Sequence, residues 1–171
     1  SVVDFILRRA RDIELVNVYP AGAATKGAEG ERIAEIGLMR EAGCLYVTDA
    51  DRPIVDSKVF RRVLAYASAF GTPVAHRPAD PWLSAGAAAS EGEFASRMGL
   101  PAVPAVAEKI MLERDLALVE LTGARLIVDQ VTTAAALESL KRGLARGLPV
   151  TATASINHLS FNEIDIGDYR T

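Results

Sequence analysis

Short apolar runs that stop at small polar clusters alternate along this chain with stretches of helical spacing. The strand-like runs are Ile13 to Tyr19, Cys44 to Thr48, Thr72 to Ala75, Arg125 to Val128 and Pro149 to Ala154, each bounded by Gly, Pro or charge. Between them the apolar positions recur with helical period. Val2, Val3, Phe5, Ile6 and Ala10 open the first such stretch, and a second runs from Glu31 to Ala42 before Gly43. Asp56 and Ser57 are placed to cap a third from Lys58 to Phe70, whose core face holds Val59, Val63, Leu64 and Ala67. A short helix is expected from Glu91 to Met98. The longest runs from Val106 to Leu121, with Ile110, Leu112, Leu116 and Val119 apolar and Gly123 as its stop, and the last runs from Ala134 to Arg146 before Gly147.

Strands that alternate with helices form a parallel sheet covered by helices, an α/β fold whose ligands bind at the carboxyl ends of the strands. Five strand-helix units fit two architectures. One is an open doubly wound sheet. The other is a consecutive slice, a partial TIM-type (β/α)8 barrel, because a closed barrel takes eight units and typically ~250 residues.

Half of the 171 residues are hydrophobic, enough for one core and a single domain over 1–171. Net charge is −3 and the 19 basic residues are scattered, which leaves no electrostatic footprint for nucleic acid. No apolar run reaches the ~18 residues that a membrane span requires. The single cysteine, Cys44, lies in a strand-like run, so one chain holds neither a disulfide framework nor a cysteine metal site. A cytoplasmic location is expected. The helical period begins at once behind Ser1, so the chain reads as a fragment or a processed product.

The strand ends carry the candidate chemistry. Asp49 and Asp51 follow the second strand, and strand alternation would aim both carboxylates at one site, suited to a hard or borderline cation. Their local alternative is that Asp49 caps a loop and Asp51 pairs with Arg52. His76 ends the third strand, and His158 follows the fifth. Two histidines complete a zinc site only with carboxylates, so Asp49, His76 and His158 form the candidate set. The alternative for His158 is packing beside Leu159 and Phe161. Gln130 is a poor zinc ligand, and Arg77 repels a cation at close range. Thr25 to Gly30 lacks the ending of a phosphate-binding loop and reads as a connection. Trp82, between prolines, either shapes a pocket or packs.

Taken in order, these strand ends resemble the dihydroorotases, cyclic-amide hydrolases of the amidohydrolase superfamily. The resemblance rests on Val16-Asn17-Val18-Tyr19-Pro20-Ala21-Gly22-Ala23-Ala24-Thr25-Lys26-Gly27, Glu41-Ala42-Gly43-Cys44 running to Thr48-Asp49, Ser90-Glu91-Gly92-Glu93, Gly99-Leu100-Pro101, Pro104-Ala105-Val106-Ala107-Glu108, Arg114-Asp115-Leu116, Glu120-Leu121-Thr122-Gly123, Val131-Thr132-Thr133 and Asn157-His158-Leu159. It implies the third to seventh strands of an eight-stranded barrel, from a divergent bacterial branch. It also implies zinc, and metal-assisted opening of dihydroorotate or a related cyclic amide in de novo pyrimidine biosynthesis. At the family's ligand positions this chain carries Ala50, Arg77 and Gln130, so zinc is expected to be absent or weakly bound and the chain inactive alone. The alternative is a noncatalytic scaffold partnering aspartate transcarbamoylase. A homo-oligomer is a further expectation.

Overall fold

The computed structural model describes residues 2–167; Ser1 and residues 168–171 of the expected 1–171 unit lie outside them. The elements in chain order are α1 (Val2–Ile13), β1 (Gly22–Ala23), α2 (Ile36–Glu41), β2 (Val47–Thr48), α3 (Ser57–Ala69), β3 (Val74–His76), β4 (Ala89–Ser90), α4 (Glu93–Met98), β5 (Ala102–Val103), α5 (Val106–Thr122), β6 (Leu126–Val128), α6 (Ala134–Ala145), β7 (Val150–Ala152) and α7 (Ile156–Ser160).

Five strands pair in the order β1-β2-β3-β6-β7, every pair parallel, and β4 pairs with β5 in a separate parallel ribbon. The order settles which of the two architectures applies. A doubly wound sheet reverses its strand order at a switch point, whereas this order never reverses. Right-handed crossovers in an unreversed sheet put every connecting helix on one face. Accordingly α2 packs on α3, α3 on α5 and α5 on α6. The fold is a section of a (β/α)8 barrel.

The register aligns residues in rows across the sheet. Gly22, Val47, Val74, Leu126 and Val150 stand side by side, and the four with side chains are buried under the helices. Gly22 leaves room for α2, since a Cβ there would lie 2.9 Å from the Met39 sulfur. The next row, Ala23, Thr48, Ala75, Ile127 and Thr151, faces the opposite, open side. One step further, Ala24, His76 and Val128 return to the helix side, all buried.

The four later strands lie within or one residue from their expected runs, whereas the first does not. Ile13 ends α1, and Leu15, Val16 and Tyr19 are exposed. The pairing instead lies at Pro20 to Ala24, where Leu45 N–H donates to Pro20 O at 3.2 Å and Ala24 N–H to Thr48 O at 3.2 Å. Small residues permit the close approach of α2 there. One further expectation is corrected: the second helix begins at Ile36 rather than Glu31. Asp56 caps α3 as expected, its Oδ1 accepting from Lys58 N–H at 2.7 Å and Val59 N–H at 3.2 Å. Among the described residues no helix is long and apolar enough to cross a membrane.

Phe60, fully buried on α3, is the largest side chain of the core. Phe60→Ala should reduce stability by about 3–5 kcal/mol through the cavity it leaves, read as the shift in urea unfolding of the intact protein.

Candidate functional site at the strand tips

The carboxyl ends of β2, β3, β6 and β7 converge on one edge of the sheet, where the row rule decides what each side chain can do. Asp49 turns to the neighbouring strand. Its Oδ1 accepts from Ala24 N–H at 3.0 Å and Thr25 N–H at 2.9 Å, and its Oδ2 accepts from the Thr25 hydroxyl. Thr25 Oγ1 in turn accepts from Gly30 N–H at 2.8 Å. The carboxylate therefore clasps the loop after β1, which is the local alternative weighed for it. Thr25 to Gly30 is a connection, as read.

Asp51 does not share that direction. β2 ends at Thr48, and Ala50 adopts φ 55°, which breaks the alternation that would have aligned the two aspartates. Asp51 is exposed and accepts from Arg77 Nη1 at 2.9 Å, not from Arg52. Gln130, at the same position beyond β6, also has a positive φ of 58°. Its N–H donates to Thr153 Oγ1 at 2.9 Å, and that hydroxyl donates to Asp129 Oδ1 at 2.8 Å.

His76 belongs to the helix-side row and is 3% exposed. Its Nε2 accepts from Ile54 N–H at 2.9 Å, and its Nδ1 lies 2.6 Å from Asp115 Oδ2 on α5. The acceptor role requires Nε2 without a proton, so the proton sits on Nδ1 and is donated to Asp115. Arg114 completes the group. Its Nε and Nη2 donate to Asp115 Oδ1 at 2.9 and 2.6 Å, and its Nη1 donates to the carbonyls of Ile54 and Val55, each at 2.8 Å. Phe60 packs against both cationic and imidazole planes, 4.4 Å from the His76 ring and 5.1 Å from the Arg114 guanidinium carbon.

Asp115 and Glu108 were missed by sequence reasoning although a signal was present. Both fall on the same stripe of α5 as Leu112, Leu116 and Val119, and both are buried. A carboxylate on a helix's apolar stripe is expected to have a built partner. Glu108 has one in Thr132, whose N–H and hydroxyl donate to it at 2.7 and 2.9 Å. His158 lies exposed on α7 beside exposed Leu159 and Phe161, so it neither packs nor joins the others. Trp82 is 73% exposed and does not pack. Cys44 is fully buried, and burial pushes its thiol up, which leaves it a poor nucleophile.

The expected set Asp49, Asp51, His76 and His158 is thus not brought to one point. Among the described residues no three His, Cys, Asp or Glu side chains are grouped to hold a metal ion. Zinc is not fitted by what stands at the tips: both imidazole nitrogens of His76 are bonded, and Ala50, Arg77 and Gln130 supply no anionic or imidazole donor. Two cavities lie at the strand tips. One of about 400 Å³ lies on the open face among Tyr46, Thr48, Ala75, Ile127, Asp129 and Thr153. A smaller one, about 200 Å³, lies under the β4–β5 ribbon and is bounded by Arg77, Glu91 and Gln130.

Residues 1–136 match the family model described as Dihydro-orotase-like. The chain is 41% identical over 167 residues to a dihydroorotase of Anaeromyxobacter sp. (strain K), covering 98% of this chain and 39% of that protein. It is 38% identical over 171 residues to a dihydroorotase of Desulforapulum autotrophicum, covering all of this chain and 40% of that one. The chain therefore spans about 40% of the length of these curated relatives. Among solved structures it superposes on the L-hydantoinase (dihydropyrimidinase) of Arthrobacter aurescens with a TM-score of 0.70 at 17% identity, over 96% of this chain and 38% of that one. A D-hydantoinase gives 0.64 at 17% identity, over 91% and 37%. At such identities the likeness is one of fold.

His76→Ala should cost about 3 kcal/mol of stability, because it strands the Ile54 N–H and one oxygen of buried Asp115. Asp51→Asn should change stability by no more than about 0.5 kcal/mol, since its ion pair is exposed. Chemical denaturation of the two variants in the intact protein measures the contrast.

Proposed function

Because this chain belongs to the dihydro-orotase-like family, we propose that it is a wall section of a barrel protein of de novo pyrimidine synthesis, whose substrate is dihydroorotate or a related cyclic amide. In this reading the section frames the substrate-facing edge but brings no zinc of its own. The observation that carries it is the division of labour between neighbours on β3: His76 turns to the helices with both nitrogens bonded, and the residue on the open row is a guanidinium. Zinc, when bound in such a site, polarises a ring carbonyl and supplies hydroxide. Ala50, Arg77 and Gln130 offer it no anionic or imidazole ligand, and the tip carboxylates of Asp49, Asp51 and Asp129 are engaged by Thr25, Arg77 and Thr153. What the tips do offer is positioning: Asp49 sets the loop after β1, and Arg77 joins the tips of β2 and β3 through Asp51.

The engaged donors also favour a second reading, in which the protein is a noncatalytic partner of aspartate transcarbamoylase, either as a homo-oligomer or within a mixed assembly. A cytoplasmic setting follows from either reading, since both place the protein beside soluble metabolites.

Metal analysis of the intact protein, paired with a dihydroorotate hydrolysis assay, tests the proposal. The expected result is that alanine at Asp49, Asp51 or His76 leaves zinc content unchanged, whatever the parent level. A fall in zinc to below half in any of these variants, with folding retained, would assign that side chain as a ligand and defeat the proposal. Co-elution with aspartate transcarbamoylase at micromolar concentration distinguishes the scaffold reading.

A further inference from the structure

The cavity beneath the β4–β5 ribbon is bordered by three polar side chains that the framework leaves unused, Arg77 and Gln130 half-buried and Glu91 exposed. Among the described residues the Arg77 side chain makes one hydrogen bond, from Nη1 to Asp51, which leaves the Nε and Nη2 edge of its guanidinium unpaired, and the side chain is 35% exposed. Among the described residues Glu91 takes part in the fold through its backbone alone, Glu91 N–H donating to Val103 O at 2.9 Å, and its carboxylate has no hydrogen-bond partner. Gln130 is held at a positive φ of 58° with its N–H on Thr153, and its side-chain amide is likewise unpartnered. By contrast Glu108, which also borders the cavity, has both oxygens filled by Thr132. The rest of the lining is mixed, with Pro78, Ala79, Val103 and Pro104 apolar and Ser84, Ser90 and Thr133 hydroxylic.

A fork-shaped cation, a free carboxylate and an amide around a space of about 200 Å³ are complementary to a small molecule of mixed charge. An anion alone would face Glu91, and a cation alone would face Arg77. A molecule with a carboxylate at one end and N–H donors at the other satisfies both. The volume is below the range of drug-sized pockets, roughly 300–1,000 Å³, which limits the occupant to metabolite size. The position, at the carboxyl ends of parallel strands, is where such folds bind ligands.

We propose that this cavity binds a small amino-acid-like carboxylate, with the carboxylate on the free edge of Arg77, the N–H end at Glu91 and the Gln130 amide between them. Asp51 then acts as a competitor: it holds the guanidinium when the cavity is empty and yields part of it when the ligand arrives. The site needs no metal. It stands independently of whether the intact protein opens a cyclic amide.

Calorimetric titration of the intact protein at low salt, with glycylglycine and with glycylglycinamide as probes, tests this. Glycylglycine should bind about tenfold more tightly, since only it carries the carboxylate that a charged bidentate contact rewards. Arg77→Gln should erase that preference, and Arg77→Lys, which keeps the charge without the fork, should retain part of it. Glu91→Gln should weaken both probes alike. Asp51→Asn, an exposed change that spares the fold, should tighten glycylglycine binding by a few fold. Equal affinity for the two probes, no heat from either, or weaker binding in Asp51→Asn would each overturn the proposal.

Discussion

The two-residue period of a strand, locked across neighbours by parallel pairing, is the constraint on which the rest of this molecule depends. Once Val47, Val74, Leu126 and Val150 share a row under the helices, each following residue is assigned to one side or the other without further choice. His76 and Arg77 are chain neighbours, yet the period gives one to the buried layer and the other to the edge where solvent enters. Chemistry at the tips is a consequence of that parity. A one-residue slip of β3 would exchange them, placing a guanidinium among Phe60, Leu112 and Val128 and an imidazole at the mouth.

The helix side of that row is costly to build and is built completely. Burying His76, Asp115 and much of Arg114 removes charge and polar surface from water, a penalty of several kcal/mol per ion when uncompensated. Here the imidazole, the carboxylate and the guanidinium's bonding edges all have partners. The group ties three things together: the end of β3, the middle of α5, and the loop between β2 and α3 that carries Asp51. Its role is to fix the height at which the tips stand relative to the helix layer. The packing of Phe60 against the imidazole and the guanidinium closes it from the core.

How much of this was readable beforehand depended on whether a residue's type announced its surroundings. Apolar, β-branched runs such as Arg125 to Val128 marked their strands, and Asp56, Gly123 and Gly147 marked helix boundaries through capping and chain reversal. The first strand was hidden because Gly22, which makes room for Met39, and its neighbours Ala21 and Ala23 have no strand propensity, whereas the apolar Ile13 to Tyr19 run lies exposed beside it. At the site, residue type was right and direction was not. Asp49, Asp51 and His76 were legible as polar groups at strand ends, but the left-handed turn at Ala50 that separates the aspartates has no signature, since alanine rarely adopts it. The partner of His76 was visible in principle, as a carboxylate on the apolar stripe of α5. The ordered series of strand-end segments identified the family where single motifs did not.

The left-handed backbone at Ala50 and Gln130 carries its own consequence. Each residue lies two positions past the end of its strand, and at each the main chain, not the side chain, sets the direction in which a substituent would project. The strand tips therefore behave as sockets whose aim is independent of their occupant. Glycine, asparagine or aspartate would fit the same backbone at little cost, and β-branched residues would not. Such a frame can exchange one kind of chemistry for another by substitution at two or three positions, leaving the sheet, the helix layer and the buried imidazole untouched.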